Sequence, residues 1–84
     1  MDYKIIEKKE ILNEYAAYLV GSFDRIIIKR KIDDETDPLN IISSEISKIK
    51  SNIIGPGSKT LDDLYVIEIQ LNVFRNLLQE IPEE

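Results

Sequence analysis

The spacing of the apolar residues restricts the fold of this chain more than any other feature of the sequence. In three separate segments these residues recur at intervals of three, four or seven, which places them along one side of an α-helix. The segments are separated by an acidic stretch at 33–37 and by Gly55-Pro56-Gly57, which cannot continue a helix. The sequence therefore predicts an all-α protein, a small antiparallel three-helix bundle that occupies residues 1–84 as a single domain.

The first segment, residues 4–31, is predicted to be an amphipathic helix. Its apolar residues recur every seven positions, at Ile5, Leu12, Leu19 and Ile26. Gly21 falls on the opposite side, where it marks a bend, a break or the close approach of another backbone. Because an unbroken helix of this length spans about 40 Å, either it breaks near Gly21 and the protein has four helices, or its end projects beyond the bundle toward another subunit. A short strand at 23–32 is the alternative for its second half.

The second and third segments carry signals for helix starts. Asp37 can cap a helix that begins with Pro38, and this helix is predicted to run over 38–54. Thr60 can cap the third helix (α3), predicted over 60–81, with Asp62 and Asp63 in the first turn, where carboxylates are favourable. The residues after 81 are predicted to form a frayed tail.

The third helix carries two apolar stripes, although a helix in a three-helix bundle needs only one. The first stripe has the spacing of a core seam and consists of Leu64, Ile67, Leu71, Phe74, Leu78 and Ile81. The second stripe, here called the α3 stripe, consists of Val66, Ile69, Val73 and Leu77. An exposed row of aliphatic residues is unfavourable in water, so the α3 stripe is predicted to be an interface that makes the protein a homo-oligomer. The alternative is that this helix lies centrally and both stripes pack inside one chain.

The composition excludes many kinds of chemistry. The chain has no Cys, His or Trp, and its formal net charge is −5. It therefore lacks thiolate and imidazole nucleophiles and ligands, and we expect no catalytic residue, no metal site and no cofactor. The negative charge argues against generic nucleic-acid binding, and no apolar run is long enough to cross a membrane. The N-terminal residues do not resemble a secretion signal. The predicted location of the protein is therefore cytoplasmic, or the host-cell interior for a viral or plasmid protein.

Three short motifs resemble known sites and are interpreted as structural. Asp33, Glu35 and Asp37 have the spacing that opens a calcium loop, but the required glycine and final glutamate are replaced by Pro38 and Ser44. Residues 47–50 match S-x-x-K without its accompanying motifs. Residues 55–60 end like a phosphate loop but lack its spacing and its preceding strand.

One concentrated basic cluster remains, formed by Arg25, Lys29, Arg30 and Lys31. Its structural interpretation is that cations at the end of the first helix complement the helix dipole and pair with the acidic connector. Its functional interpretation is an anion-binding site.

These features predict a non-enzymatic helical interaction module that self-associates and binds another protein, as a small intracellular inhibitor or adaptor. The alternative function is an oligomeric binder of a small anionic ligand such as a nucleotide, through the basic cluster, in a phage- or plasmid-type anti-defence or immunity protein.

Overall fold

The computed structural model describes residues 3–55 and 59–82. Within these ranges the chain forms three α-helices and no strand: α1 (Tyr3–Arg30), α2 (Pro38–Ile54) and α3 (Leu61–Glu80). Contacts near both ends of α3 show that it runs parallel to α1, with Lys8 beside Glu68 and Arg30 beside Pro82. The chain must reverse direction between them, so α2 is antiparallel to both. The predicted all-α three-helix bundle is confirmed.

Gly21 does not interrupt α1. The helix continues through it to Arg30, so neither the four-helix alternative nor the strand at 23–32 occurs. A Cβ atom built at Gly21 meets nothing within 4 Å, so no other backbone approaches this position. The helix ends instead at Lys31, which has a φ of 55°. There Ile32 N donates to Ile27 O and Lys31 N donates to Ile28 O, both at 3.1 Å, the pattern of a Schellman cap.

The predicted caps of α2 and α3 are present. The Asp37 carboxylate accepts a hydrogen bond from Leu39 N at 2.9 Å. At α3, Thr60 N donates to the Asp63 carboxylate at 3.0 Å and Asp63 N donates to Thr60 Oγ1 at 3.2 Å, which completes a capping box. The hydrogen bond from Thr60 N to the carboxylate, and then the Thr60 side chain, lower the pKa of Asp63. Each cap satisfies backbone groups that the first helical turn leaves without partners.

The core lies around α1, which contacts both other helices, whereas α2 and α3 contact each other only sparsely. Its members come from all three helices and are Leu12, Ala16, Leu19, Phe23, Ile46, Ile53, Leu64, Ile67 and Leu71. A central α1 contradicts the alternative in which the third helix is central. It follows that only one of the two stripes on α3 has room inside the chain.

The length of α1 sets the overall shape. It has 28 residues, or about 42 Å at the usual rise per residue, and the molecule measures 45 × 22 × 15 Å. On α2, buried Ser43 donates a hydrogen bond to Asp24 at 2.6 Å, which fixes the antiparallel register. In that register Ile54 lies near position 13 of α1. The first turns of α1 therefore extend past α2 and are flanked by the start of α3.

Replacing Gly21 with alanine is predicted to stabilise the protein. The new methyl group meets open space, and alanine restricts the unfolded backbone more than glycine does, so the free energy of unfolding should rise by about 0.5–1 kcal/mol. Urea denaturation followed by circular dichroism measures this change.

Gly55→Ala is the matched comparison and should have the opposite sign. A Cβ atom there lies 2.9 Å from the Ser51 carbonyl oxygen, which is fixed by the helix. A loss of stability in Gly21→Ala would contradict the open, unbroken α1 described above.

Candidate functional site

A seam of polar contacts joins α1 to α3 and fixes how α3 is rotated. Lys8 Nζ lies 2.8 Å from Glu68 Oε2 and 4.9 Å from the centre of the Tyr65 ring. Further along the seam, the Tyr15 hydroxyl donates a hydrogen bond to Asn72 Oδ1 at 2.7 Å. Glu68 and Asn72 are one helical turn apart, so both hold the same side of α3 against α1. The spacing of the sequence gives no sign of this seam, because Lys8, Glu68 and Asn72 lie among the polar residues of their helices and Tyr15 falls on the apolar side of α1.

The rotation fixed by the polar seam leaves the α3 stripe in solvent. The exposed fractions of its members are 55% for Val66, 63% for Ile69, 53% for Val73 and 39% for Leu77. The other stripe begins with Leu64, Ile67 and Leu71, which are buried, and its remaining members pack against the core. The structure thus separates the two stripes, one in the core and one outside it.

The surroundings of the α3 stripe are uncharged along its length. The side chains that share its side of the helix are Gln70 and Asn76, both exposed, while charged residues lie only at the ends, at Asp62 and Glu80. Aliphatic groups flanked by amides have no acid, base or nucleophile to offer. Such a surface suits contact with another protein.

The basic cluster divides in the structure. Arg25, Lys29 and Arg30 line a cleft of about 800 Å³ between the last turns of α1 and the end of α3. Arg30 also donates a hydrogen bond to the Pro82 carbonyl oxygen at 3.4 Å. Lys31, the fourth predicted residue, lies beyond the helix end and is not among the lining residues. The remaining lining residues are Tyr18, Ser22, Ile26, Leu78, Gln79, Ile81 and Pro82.

Tyrosine side chains occupy two different environments. Burial raises the pKa of the Tyr15 hydroxyl. This hydroxyl is the donor in the hydrogen bond to Asn72. Tyr3, Tyr18 and Tyr65 are more than half exposed. The sequence predicts half-buried positions at the rim of the core for all four tyrosines. Tyr65, which is 51% exposed and lies under Lys8, fits this prediction, whereas Tyr3 and Tyr18, at 79% and 61%, are more exposed than predicted.

The acidic connector, residues 33–37, uses its carboxylates to accept hydrogen bonds from nearby backbone amides. Asp34 accepts hydrogen bonds from Thr36 N at 2.9 Å and Thr36 Oγ1 at 2.7 Å, which lower the pKa of its carboxyl group, and Asp37 caps α2.

Across residues 3–55 and 59–82 no cluster of His, Cys, Asp or Glu is arranged to hold a metal ion. The glycine-rich segment that resembles a phosphate loop falls partly on residues 56–58, outside the described residues.

None of the three helices, as far as the structure describes them, combines the length and the hydropathy needed to span a bilayer.

Comparison with known proteins gives one finding. The family model described as bacterial epsilon antitoxin matches residues 1–81, nearly the whole chain. Neither the curated proteins nor the solved structures give a match.

Tyr15→Phe is predicted to weaken the polar seam. The change removes the hydrogen bond to Asn72 and should lower the free energy of unfolding by about 1 kcal/mol at neutral pH.

The raised pKa of Tyr15 gives a second expectation, on the pH dependence of stability. A tyrosine whose pKa is higher in the folded protein than in the unfolded chain, where it is 10.0, stabilises the folded state below pH 10. This stabilisation is lost as the pH rises from 10 through the folded pKa. The variant should therefore lose less stability than the wild type on going above pH 10.

Urea denaturation at pH 7 and above pH 10 measures both effects. Tyr3→Phe is the control, since the Tyr3 side chain is 79% exposed. Equal stability changes in the two variants would show that the seam does not hold α3.

Proposed function

The chain belongs to the bacterial epsilon antitoxin family, and we propose from this membership that it binds a toxin protein and inhibits it without catalysing a reaction. The family match over residues 1–81 carries this proposal. The surface described above supports it, because exposed aliphatic and amide groups suit protein contact rather than bond-making chemistry. The cytoplasmic location predicted from the sequence is part of the same proposal.

Self-association through the α3 stripe is the second part of the proposal. A two-fold dimer places the same patch of each copy against the other, which requires a surface that is compatible with itself. The middle of the α3 stripe meets this requirement, because Val66, Ile69, Val73 and Leu77 carry no charge and would bring no like charges together. A second copy bound here would bury aliphatic groups that are exposed to water in the single chain, and this burial is favourable.

The size of the stripe limits the strength of the contact. Burying a half-exposed aliphatic side chain contributes on the order of 1 kcal/mol, while association itself costs several kcal/mol. Four such residues from each copy contribute about 8 kcal/mol together, and association removes about half of this or more, so they support only a weak dimer with a dissociation constant near millimolar. The toxin is the competing occupant of this surface, and the tests below distinguish the two.

Neutralisation of a toxin tests the antitoxin function. The cognate toxin is expressed from an inducible promoter, with and without this chain, and growth is followed. The chain should restore growth when it is present in excess over the toxin. Continued growth arrest in the presence of folded, abundant chain would contradict the proposal.

Val73→Lys is predicted to disrupt self-association while keeping the fold. Val73 is 53% exposed at the centre of the α3 stripe, so lysine is accommodated in the monomer, but a dimer would have to bury its charge. The dissociation constant of the dimer should rise at least about tenfold, equivalent to about 1.4 kcal/mol. Light scattering over a concentration series measures it, and circular dichroism reports helicity.

Ile41→Lys is the matched control, because Ile41 is a 49% exposed isoleucine on α2, away from the stripe. It should leave the oligomeric state unchanged. A wild type that stays monomeric at millimolar concentration would overturn self-association. If the wild type is monomeric and Val73→Lys abolishes neutralisation while Ile41→Lys does not, the α3 stripe binds the toxin instead of a second copy.

A further inference from the structure

The spacing of the α3 stripe is nearly the same in both chain directions. Ile69 and Val73 lie two residues to either side of position 71, and Val66 and Leu77 lie five and six residues from it. A two-fold axis at this level would place Ile69 against Val73 of the second copy. It would likewise place Val66 against Leu77 of the second copy. Each contact joins a larger aliphatic side chain to a smaller one, which favours close packing of the two rows.

Two further features favour an antiparallel arrangement of the two α3 helices. Gln70 is exposed on the flank of the stripe, next to position 71, so the axis brings its amide close to the same amide of the second copy. A side-chain amide both donates and accepts hydrogen bonds, so two identical amides can bond to each other. In addition, antiparallel helices place ends of opposite partial charge together, whereas parallel helices place like ends together.

The same axis brings carboxylates together at both ends of the stripe. Asp62 and Glu80 are exposed, lie on the side of the stripe, and are each nine residues from position 71. Antiparallel pairing therefore places Asp62 beside Glu80 of the second copy, and the symmetry repeats this pair at the other end. Like charges this close repel, because their separation is less than the screening length of about 10 Å at 0.1 M salt.

The other charges near these carboxylates differ in position. Lys59, one helical turn before Asp62, donates a hydrogen bond to Asn52 of α2 at 3.1 Å and so reaches toward α2. Glu83 and Glu84 lie outside the described residues, and their charge has the same sign as that of Glu80. The described charges on the stripe side of α3 are therefore negative at both ends.

We infer, on the basis of the proposed self-association, that two copies pair through antiparallel α3 helices about an axis at position 71, and that ionic strength regulates this pairing. The aliphatic centre of the contact attracts, while the two pairs of Asp62 with Glu80 repel. Because the stripe alone supports a dissociation constant only near millimolar, a modest change in rim repulsion alters the proportion of dimer. Salt screens the repulsion, so the dimer forms more readily at higher ionic strength.

Sedimentation equilibrium of the full chain, up to millimolar concentration, tests the orientation by charge reversal. In an antiparallel dimer Asp62→Lys turns both repulsive pairs into attractive ones, so the dissociation constant should fall about fivefold. Glu80→Lys should have the same effect and leaves the capping box of α3 unchanged. The double variant Asp62→Lys/Glu80→Lys restores like-charge pairs, so its dissociation constant should lie within about twofold of the wild-type value.

A parallel dimer predicts a different pattern. It places each residue beside its own counterpart, so Asp62→Lys exchanges a carboxylate pair for an ammonium pair and leaves the affinity within about twofold of wild type. That result in a wild type that self-associates would overturn the antiparallel arrangement.

Glu10→Lys is the control for net charge, since Glu10 is exposed on α1, which packs on the other side of α3. It makes the same change in charge and should alter the dissociation constant less than about twofold. An equal fall in Glu10→Lys and Asp62→Lys would overturn the assigned rim pairs. A double variant that dimerises more tightly than both single variants would overturn them as well.

A salt series tests the regulation. Between about 20 and about 300 mM sodium chloride the wild-type dissociation constant should fall at least about twofold, whereas that of Asp62→Lys should not fall. A wild-type value that stays constant or rises would overturn the regulation. If the wild type and every charge variant stay monomeric at millimolar concentration, the proposed self-association itself is wrong, whereas dimers with the parallel pattern contradict only the orientation.

Discussion

The polar seam between α1 and α3 is the interaction on which the candidate surfaces depend. Burial favours the larger of the two apolar stripes on this helix, which has six residues including Phe74 against four in the α3 stripe, but it leaves the exact rotation of the helix open. The ion pair of Lys8 with Glu68 and the hydrogen bond of Tyr15 with Asn72 are directional, and both form only when Leu64, Ile67 and Leu71 face the core. The seam therefore selects one rotation of α3 and leaves the α3 stripe exposed.

The unequal helix lengths explain the positions of the two surfaces. Because α1 is much longer than α2, it acts as the central helix on which the other two pack. On one side, α2 covers the face of α1 that carries Asp24, through its contact with Ser43. On another side, the ends of α1 and α3 come together and form the basic cleft. The α3 stripe lies away from both neighbours, since α2 and α3 scarcely touch.

Local chemistry in the sequence predicted most of the fold. Helix starts at Asp37 and Thr60 depend on side chains that bond to nearby backbone, so they can be recognised without knowing the rest of the structure. The apolar spacing likewise predicted Leu12, Leu19 and the first half of the core seam on α3, which are buried, whereas Ile26 from the same predicted row lines the cleft. Gly21 was ambiguous, because a helical glycine looks the same in sequence whether it marks a break, a close contact or neither. Only its surroundings in the folded protein show that it marks neither.

The candidate sites were predicted less completely, because they combine residues that are distant in sequence. The α3 stripe could be identified from one helix, but its exposure depends on which helix is central. Of the basic cluster, Arg25, Lys29 and Arg30 share the cleft, while the turn at Lys31 carries that residue away from it. Tyr18 joins the cleft from the same helix, but Leu78 and Pro82 come from α3. The pairing of Tyr15 with Asn72 across two helices left no signal in the spacing of either.

The central claim is that the α3 stripe is the surface through which two copies meet. Paramagnetic relaxation in a mixed sample tests it most directly, and the absence of native cysteine allows a single label to be placed. One population carries a nitroxide at Asn76→Cys, beside the stripe, and the other is unlabelled but enriched in ¹⁵N. We expect the amide signals of residues 66–77 in the ¹⁵N population to broaden as the concentration of the labelled population rises. Broadening confined to α2, or no broadening at millimolar concentration, would contradict the claim.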